Sequence, residues 1–225
     1  MSTDPTCRGV STNRRRFLAL AALGWCAREP VIADENSPSE IAADGGLAPL
    51  RERLFPKRTI PILPPGGNNR YTFNRRCTAC ALCISACPNH VLFPQNGAKE
   101  FQQPEMRFEY GYCRPECVRC SEVCPTGAIK KMTTADKAST QIGYAVYVRD
   151  ACIVVTDGKS CGNCARHCPT SAIELIALSA DDPDGLKVPT IDTDRCTGCG
   201  RCEYLCPARP NSAIYVEGTY TQRTV

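Results

Sequence analysis

The sequence predicts an α+β fold of small repeated units, with short strands and one-turn helices gathered around buried cysteines behind an irregular N-terminal extension. Three observations predict it. Sixteen of the 18 cysteines fall into four runs, each closing on Cys-Pro. Each run is followed by a short strand candidate. The 225 residues include only 6 Phe and 1 Trp, too few large apolar side chains for an ordinary core of this size.

The first run is Cys77, Cys80, Cys83, Cys87-Pro88, and the fourth, Cys196, Cys199, Cys202, Cys206-Pro207, has the same C-x2-C-x2-C-x3-C-P spacing. The second, Cys113, Cys117, Cys120, Cys124-Pro125, carries one extra residue in its first gap; the third, Cys152, Cys161, Cys164, Cys168-Pro169, has a first gap of eight. This is the bacterial spacing for [4Fe–4S] clusters, in which three thiolates wrap one cube and the fourth ligates its neighbour. The fourth Cys lies about one helical turn beyond the third, and the Pro after it stops that helix. Zinc favours tetrahedral sets built from separated C-x2-C pairs. A disulfide framework suits a Cys-rich exported chain but gives no reason for Pro after every fourth Cys. Clusters are therefore expected in all four runs, four [4Fe–4S] cubes on sixteen cysteines, with the stretched third run the weakest. Cluster binding would then be coupled to folding.

Taken in order, residues 1–33 read as an export signal. Asn13-Arg14-Arg15-Arg16-Phe17-Leu18 resembles the twin-arginine signal, a short apolar stretch follows, and Val31-Ile32-Ala33 is a candidate cleavage site. The apolar stretch is too short to span a bilayer, and nothing later approaches 18 consecutive apolar residues. The twin-arginine route suits such a chain, because clusters acquired in the cytoplasm must cross the membrane inside a folded protein. Cys7 and Cys26 lie in this segment, outside the runs. Residues 34–76 read as a linker, Pro- and Gly-rich from Pro61 to Gly67; the alternative is a strap over the domain that follows.

Residues 77–140 and 141–225 each read as one two-cluster unit. Strand candidates are 91–93, 106–110, 128–132, 144–148, 172–178, 188–192 and 213–216, with a turn at Asp181-Asp182-Pro183-Asp184-Gly185. Strand, cysteine loop, one-turn helix, strand is the ferredoxin half-unit, so the chain reads as tandem bacterial-type dicluster ferredoxin units. The hairpin between the third and fourth runs favours sequential pairing, first with second and third with fourth. The alternative nests the second and third inside the first and fourth.

The net charge of +4 does not signal nucleic acid. Residues 1–33 hold five basic and two acidic side chains, and the remainder is balanced at 22 and 21. Each oxidised cube with its thiolates adds about two negative charges, and no basic stripe interleaved with aromatics is present. His90 and His167, the only histidines, read as packing or solvated imidazoles, with His167 beside Cys168 a possible tuner. Lys130-Lys131 reads as a solvated strand edge.

The four runs, the twin-arginine leader and Pro64-Pro65-Gly66 ahead of the first run resemble the NapG/MauM ferredoxin-type proteins, over residues 13–18 and about 64–217. The stretched gap from Cys152 to Cys161 is similar too. The resemblance implies a periplasmic electron carrier, without catalysis of its own. It would stand between a membrane quinol-oxidising partner and a periplasmic reductase or cytochrome, free or held at the membrane face. Two alternatives remain: the electron-transfer subunit of a multisubunit, molybdopterin-type oxidoreductase, and a cluster-bearing assembly factor or sensor.

Overall fold

The computed structural model describes residues 58–98 and 100–225. The expected export signal, with Cys7 and Cys26, and the linker up to residue 57 lie outside the described residues.

Seven α-helices are described: α1 (Arg70–Arg76), α2 (Leu82–Ser85), α3 (Arg119–Glu122), α4 (Thr134–Ala138), α5 (Ile153–Thr156), α6 (Asn163–Arg166) and α7 (Arg201–Tyr204). Six strands form three antiparallel pairs: β1 (Leu92–Pro94) with β2 (Pro104–Met106), β3 (Thr140–Tyr147) with β6 (Ile214–Thr224), and β4 (Ile173–Ser179) with β5 (Asp182–Ile191). The expected α+β fold is the one found, with one-turn helices at the cysteine loops, but β5 and β6, at 10 and 11 residues, run longer than the short strands expected. Two-stranded ribbons are marginal alone, so each relies on packing. The buried apolar side chains gather in two groups. One joins the first two cysteine runs with Ile62, Leu63, Phe73, Phe108, Ile129, Ile142 and Val216. The other joins the last two with Ala145, Val154, Ala172, Ile173, Val188 and Ile214.

The structure corrects the linker expected to run to residue 76. From Arg58 onward it is a strap packed on the domain. Ile62 is fully buried, with Leu63 beside it. Met106 N–H donates to Ile62 O at 2.8 Å, while Gly66 N–H donates to Gln222 Oε1 at 2.9 Å and Ile60 N–H to Glu217 Oε1 at 2.6 Å, both on β6. Arg58 pairs with Glu203 at 2.5 Å and donates to Val216 O at 2.8 Å. Proline removes backbone donors but leaves every carbonyl, so an extended Pro-rich segment can still be held by side chains reaching across it. Asn69 then caps α1, its side chain accepting from Tyr71 N–H at 2.9 Å.

Three further expectations change. The strand expected at 106–110 ends at Met106, where the backbone turns to the strap and Phe108 drops into the core. No strand forms at 128–132: Ile129 N–H goes to Cys124 Sγ at 3.4 Å and Lys130 N–H to Gly66 O at 2.9 Å, so the backbone donors are spent on the cysteine and the strap. Lys130 and Lys131 are exposed, but on no strand edge. The β4–β5 turn falls at Ala180-Asp181, and Asp182 to Gly185 belong to β5; the Ser179–Asp182 pair closes a two-residue loop before the Pro is reached.

Candidate metal centres

In three of the runs the residue after the second cysteine is left-handed: Ala81 (φ 59°), Gly162 (φ 109°) and Gly200 (φ 79°). Each opens a one-turn helix, α2, α6 or α7, that carries the third cysteine. The reversal folds the first cysteines back towards the third. The second run spends its extra residue on a turn at Pro115-Glu116 and enters α3 from Val118 without that reversal. The eight-residue gap of the third run, expected as a loop, contains α5, which buries Val154 and leaves Cys152 buried at its start. The insertion thus folds out as a helical turn and returns the chain to Cys161.

The sixteen thiols fall into four groups. Cys77, Cys80, Cys83 and Cys124 line one cavity, and burial, together with the neighbouring thiols, pushes the Cys83 pKa up to about 11. Cys113, Cys117 and Cys120 form a second group, with Cys87 close enough to act on Cys113. Burial lifts Cys120 to about 12. Cys152, Cys161, Cys164 and Cys206 line a third cavity, and Cys168, Cys196, Cys199 and Cys202 a fourth. Burial first, then crowding, raises Cys164 and Cys199 to about 11 each. Cys124 goes the other way: burial alone would raise it, but backbone donors led by Ile129 N–H bring it below the ordinary thiol value. In every group the fourth cysteine of one run joins the first three of its sequence neighbour. That is the sequential arrangement; the nested one would put Cys124 with the third run.

Crowded, desolvated thiols are poor company for one another as anions, and a polycationic centre relieves both costs by deprotonating them outright. No group of three or more described His, Cys, Asp or Glu side chains is placed to hold a single metal ion. A cube offers one iron to each of four thiolates, which matches four sets of four cysteines. Buried polar groups aim at the same places. The Tyr147 hydroxyl is buried without a partner of standard geometry, and burial first, then the adjacent Cys152, raises its pKa. Lys137 is buried against Cys113. The donor set and its surroundings thus fit [4Fe–4S] clusters.

His167 uses Nδ1 to donate to Asn163 O at 2.9 Å, closing the α6 turn, and so has a packing role. Sequence reasoning missed Lys137, Tyr147, Arg58 and Glu203. Only Lys137 had a local signal: Thr133 and Asp136 form a capping box that starts α4 just ahead of it.

Two runs with one exchanged cysteine each is the plan of a two-cluster ferredoxin module, and this chain has it twice. The 4Fe–4S dicluster domain family matches residues 76–128, covering the first two runs, and again 151–209, covering the last two. The protein is therefore a tandem 4Fe–4S dicluster protein. It is 34% identical over 168 residues to methylamine utilization ferredoxin-type protein MauM of Methylophilus methylotrophus, covering 72% of each chain. It is 31% identical over 186 residues to MauM of Paracoccus denitrificans, covering 80% of this chain and 82% of the relative. Ferredoxin-type protein NapG of Escherichia coli is 29% identical over 178 residues, covering 74% of each. The chain belongs to the MauM and NapG ferredoxin-type proteins. No described helix is long and apolar enough to cross a membrane.

Proposed function

We propose that this protein is an exported relay of four [4Fe–4S] clusters, passing electrons from a membrane quinol-oxidising partner to a periplasmic redox enzyme. One cube would be held by Cys77, Cys80, Cys83 and Cys124, a second by Cys113, Cys117, Cys120 and Cys87, a third by Cys152, Cys161, Cys164 and Cys206, and a fourth by Cys196, Cys199, Cys202 and Cys168. When bound, the clusters supply one-electron carriage; the chain supplies thiolates, insulation and order. The observation that carries the reading is continuity. Cys113 N–H donates to Cys199 O at 2.9 Å, so the second and fourth groups touch across the two modules. Cys120 lies near Cys83 and Cys202 near Cys164, joining the groups within each module. The path this supports runs first, second, fourth, third, not in sequence order. Its first end is the more open, with Cys80 and Leu82 exposed.

Iron and sulfide analysis of anaerobically purified protein tests the cluster count: about 16 irons are expected for four cubes, and about four zinc ions with no sulfide would overturn it. Export rests on Arg14-Arg15-Arg16-Phe17-Leu18. Changing Arg14→Lys together with Arg15→Lys should leave the protein in the cytoplasm with its clusters intact. Wild-type protein confined to the cytoplasm would refute the periplasmic part.

A further inference from the structure

Lys137 is the one lysine or arginine among the buried polar residues described, at 6% exposure. A buried ammonium is costly unless its charge is balanced and its donors are used. Two donors go to backbone carbonyls, those of Arg114 and Cys117, in the turn between the first two cysteines of the second run. The ammonium also lies against the Cys113 thiol. Among the described residues no carboxylate pairs with it; the ion pairs formed by Arg58, Arg70, Arg107, Arg119, Lys159, Arg195 and Arg223 all lie elsewhere. Two neutral carbonyls do not balance a charge. The remaining source of negative charge at this place is the thiolate group of the second run.

The other sites differ. At the third group the corresponding donor is a neutral phenol, that of Tyr147 beside Cys152. In the fourth group the first cysteine, Cys196, meets backbone donors, with Asp192 as an unfavourable neighbour. Lys137 also lines a cleft with Cys113 and Cys199, where the two modules touch. The capping box of Thr133 and Asp136 fixes the start of α4, so the side chain is delivered from a short, well-defined helix.

We propose that Lys137 sets the reduction potential of the second-run cluster, making it the electron-attracting station at the crossing between the two modules. The inference rests on the four-cluster reading above. Reduction adds one electron to the cluster and forms or breaks no bond to its thiolates. A fixed positive charge and the hydrogen bonds it donates favour the more negative state, because net charge and hydrogen bonding set cluster potentials and little water is present to screen them.

The test uses the full-length protein with its clusters in place. Potentiometric titration with dithionite and mediators, followed by electron paramagnetic resonance, gives each potential. Cys113→Ser, which changes one ligand of the second-run cluster, marks which signal belongs to it. Lys137→Gln should move that signal alone to lower potential. The expected change is about tenfold in its reduction equilibrium, or about 59 mV for one electron. Lys137→Arg, which keeps the charge, should hold the wild-type value. Full iron with no shift in Lys137→Gln overturns the proposal and leaves the cluster reading standing, as does an equal shift in Lys137→Arg. Wild-type protein without iron and sulfide overturns the cluster reading itself. Should Lys137→Gln fail to hold iron, the wild-type titration decides: the signal marked by Cys113→Ser must be the first of the four to be reduced, and a later place overturns the proposal.

Discussion

The first and fourth cysteine loops have the same spacing and opposite surroundings. Both place left-handed residues on either side of the second cysteine: Ala79 and Ala81 at φ 54° and 59°, Gly198 and Gly200 at φ 74° and 79°. A left-handed L-residue costs about 1–2 kcal/mol, and only the first loop bears that cost. The fourth has no choice. A Cβ on Gly198 would sit 2.6 Å from the Gly143 backbone, and one on Gly200 would sit 2.1 Å from the Phe108 ring. The first loop opens towards solvent at Cys80 and Leu82, whereas the fourth is enclosed, with Glu203 at its helix 1% exposed and tied to Arg58. Loops that look interchangeable by their cysteines are therefore unequal. One is a rim, while the other is a keystone between modules, where glycine is required by space as well as by backbone angle.

The largest test of this difference is Arg58→Ala. It takes the guanidinium from a carboxylate buried at the fourth loop and should cost about 3–5 kcal/mol. The effect would be seen as a lower thermal midpoint and faster iron loss to a chelator. Arg119→Ala, which removes the exposed pair with Glu122 beside the second loop, should change stability by no more than about 0.5 kcal/mol. If the two variants behave alike, the fourth loop is not the anchored one.

Next comes Gly200→Ala. Left-handed strain and the clash with the fully buried Phe108 ring together should cost about 3 kcal/mol, with iron lost first from the fourth group. A harmless Gly200→Ala would break the comparison. The smallest effect has the opposite sign. Ala79→Gly and Ala81→Gly relieve strain but loosen the unfolded chain by about 0.4–1 kcal/mol each. The net expectation is a gain of between zero and about 1.6 kcal/mol per site, read as slower iron release from the first group. Destabilisation by either would show that the first loop is not strained.

Much of this molecule is legible in its cysteines. Cysteine spacing is a local pattern, and the grouping of Cys124 with the first run and Cys87 with the second follows from modules built of consecutive runs. What escaped was set by contacts between residues far apart in sequence. Residues 58–76 have linker composition, and contacts with distant residues, above all β6 some 150 positions on, make a strap of them. Ala128 to Met132 reads as a short strand after its cysteine run, yet Cys124 and Gly66 use its N–H groups. Nothing in the cysteine spacing singles out Lys137, which matters only because the turn of the second run lies beneath it.

The strap also has a consequence in time. Its anchors, Val216, Glu217 and Gln222, lie on the last strand. A ribosome delivers the segment from Arg58 to Asn68 long before these anchors exist, and until then Met106 and Lys130 supply its backbone partners from the first module. Until β6 emerges, that early segment lacks the partners of Ile60 and Gly66 N–H and of the Arg58 side chain. Contacts of such long separation slow folding. The chain therefore closes the cover of its first module only after β6 has been made.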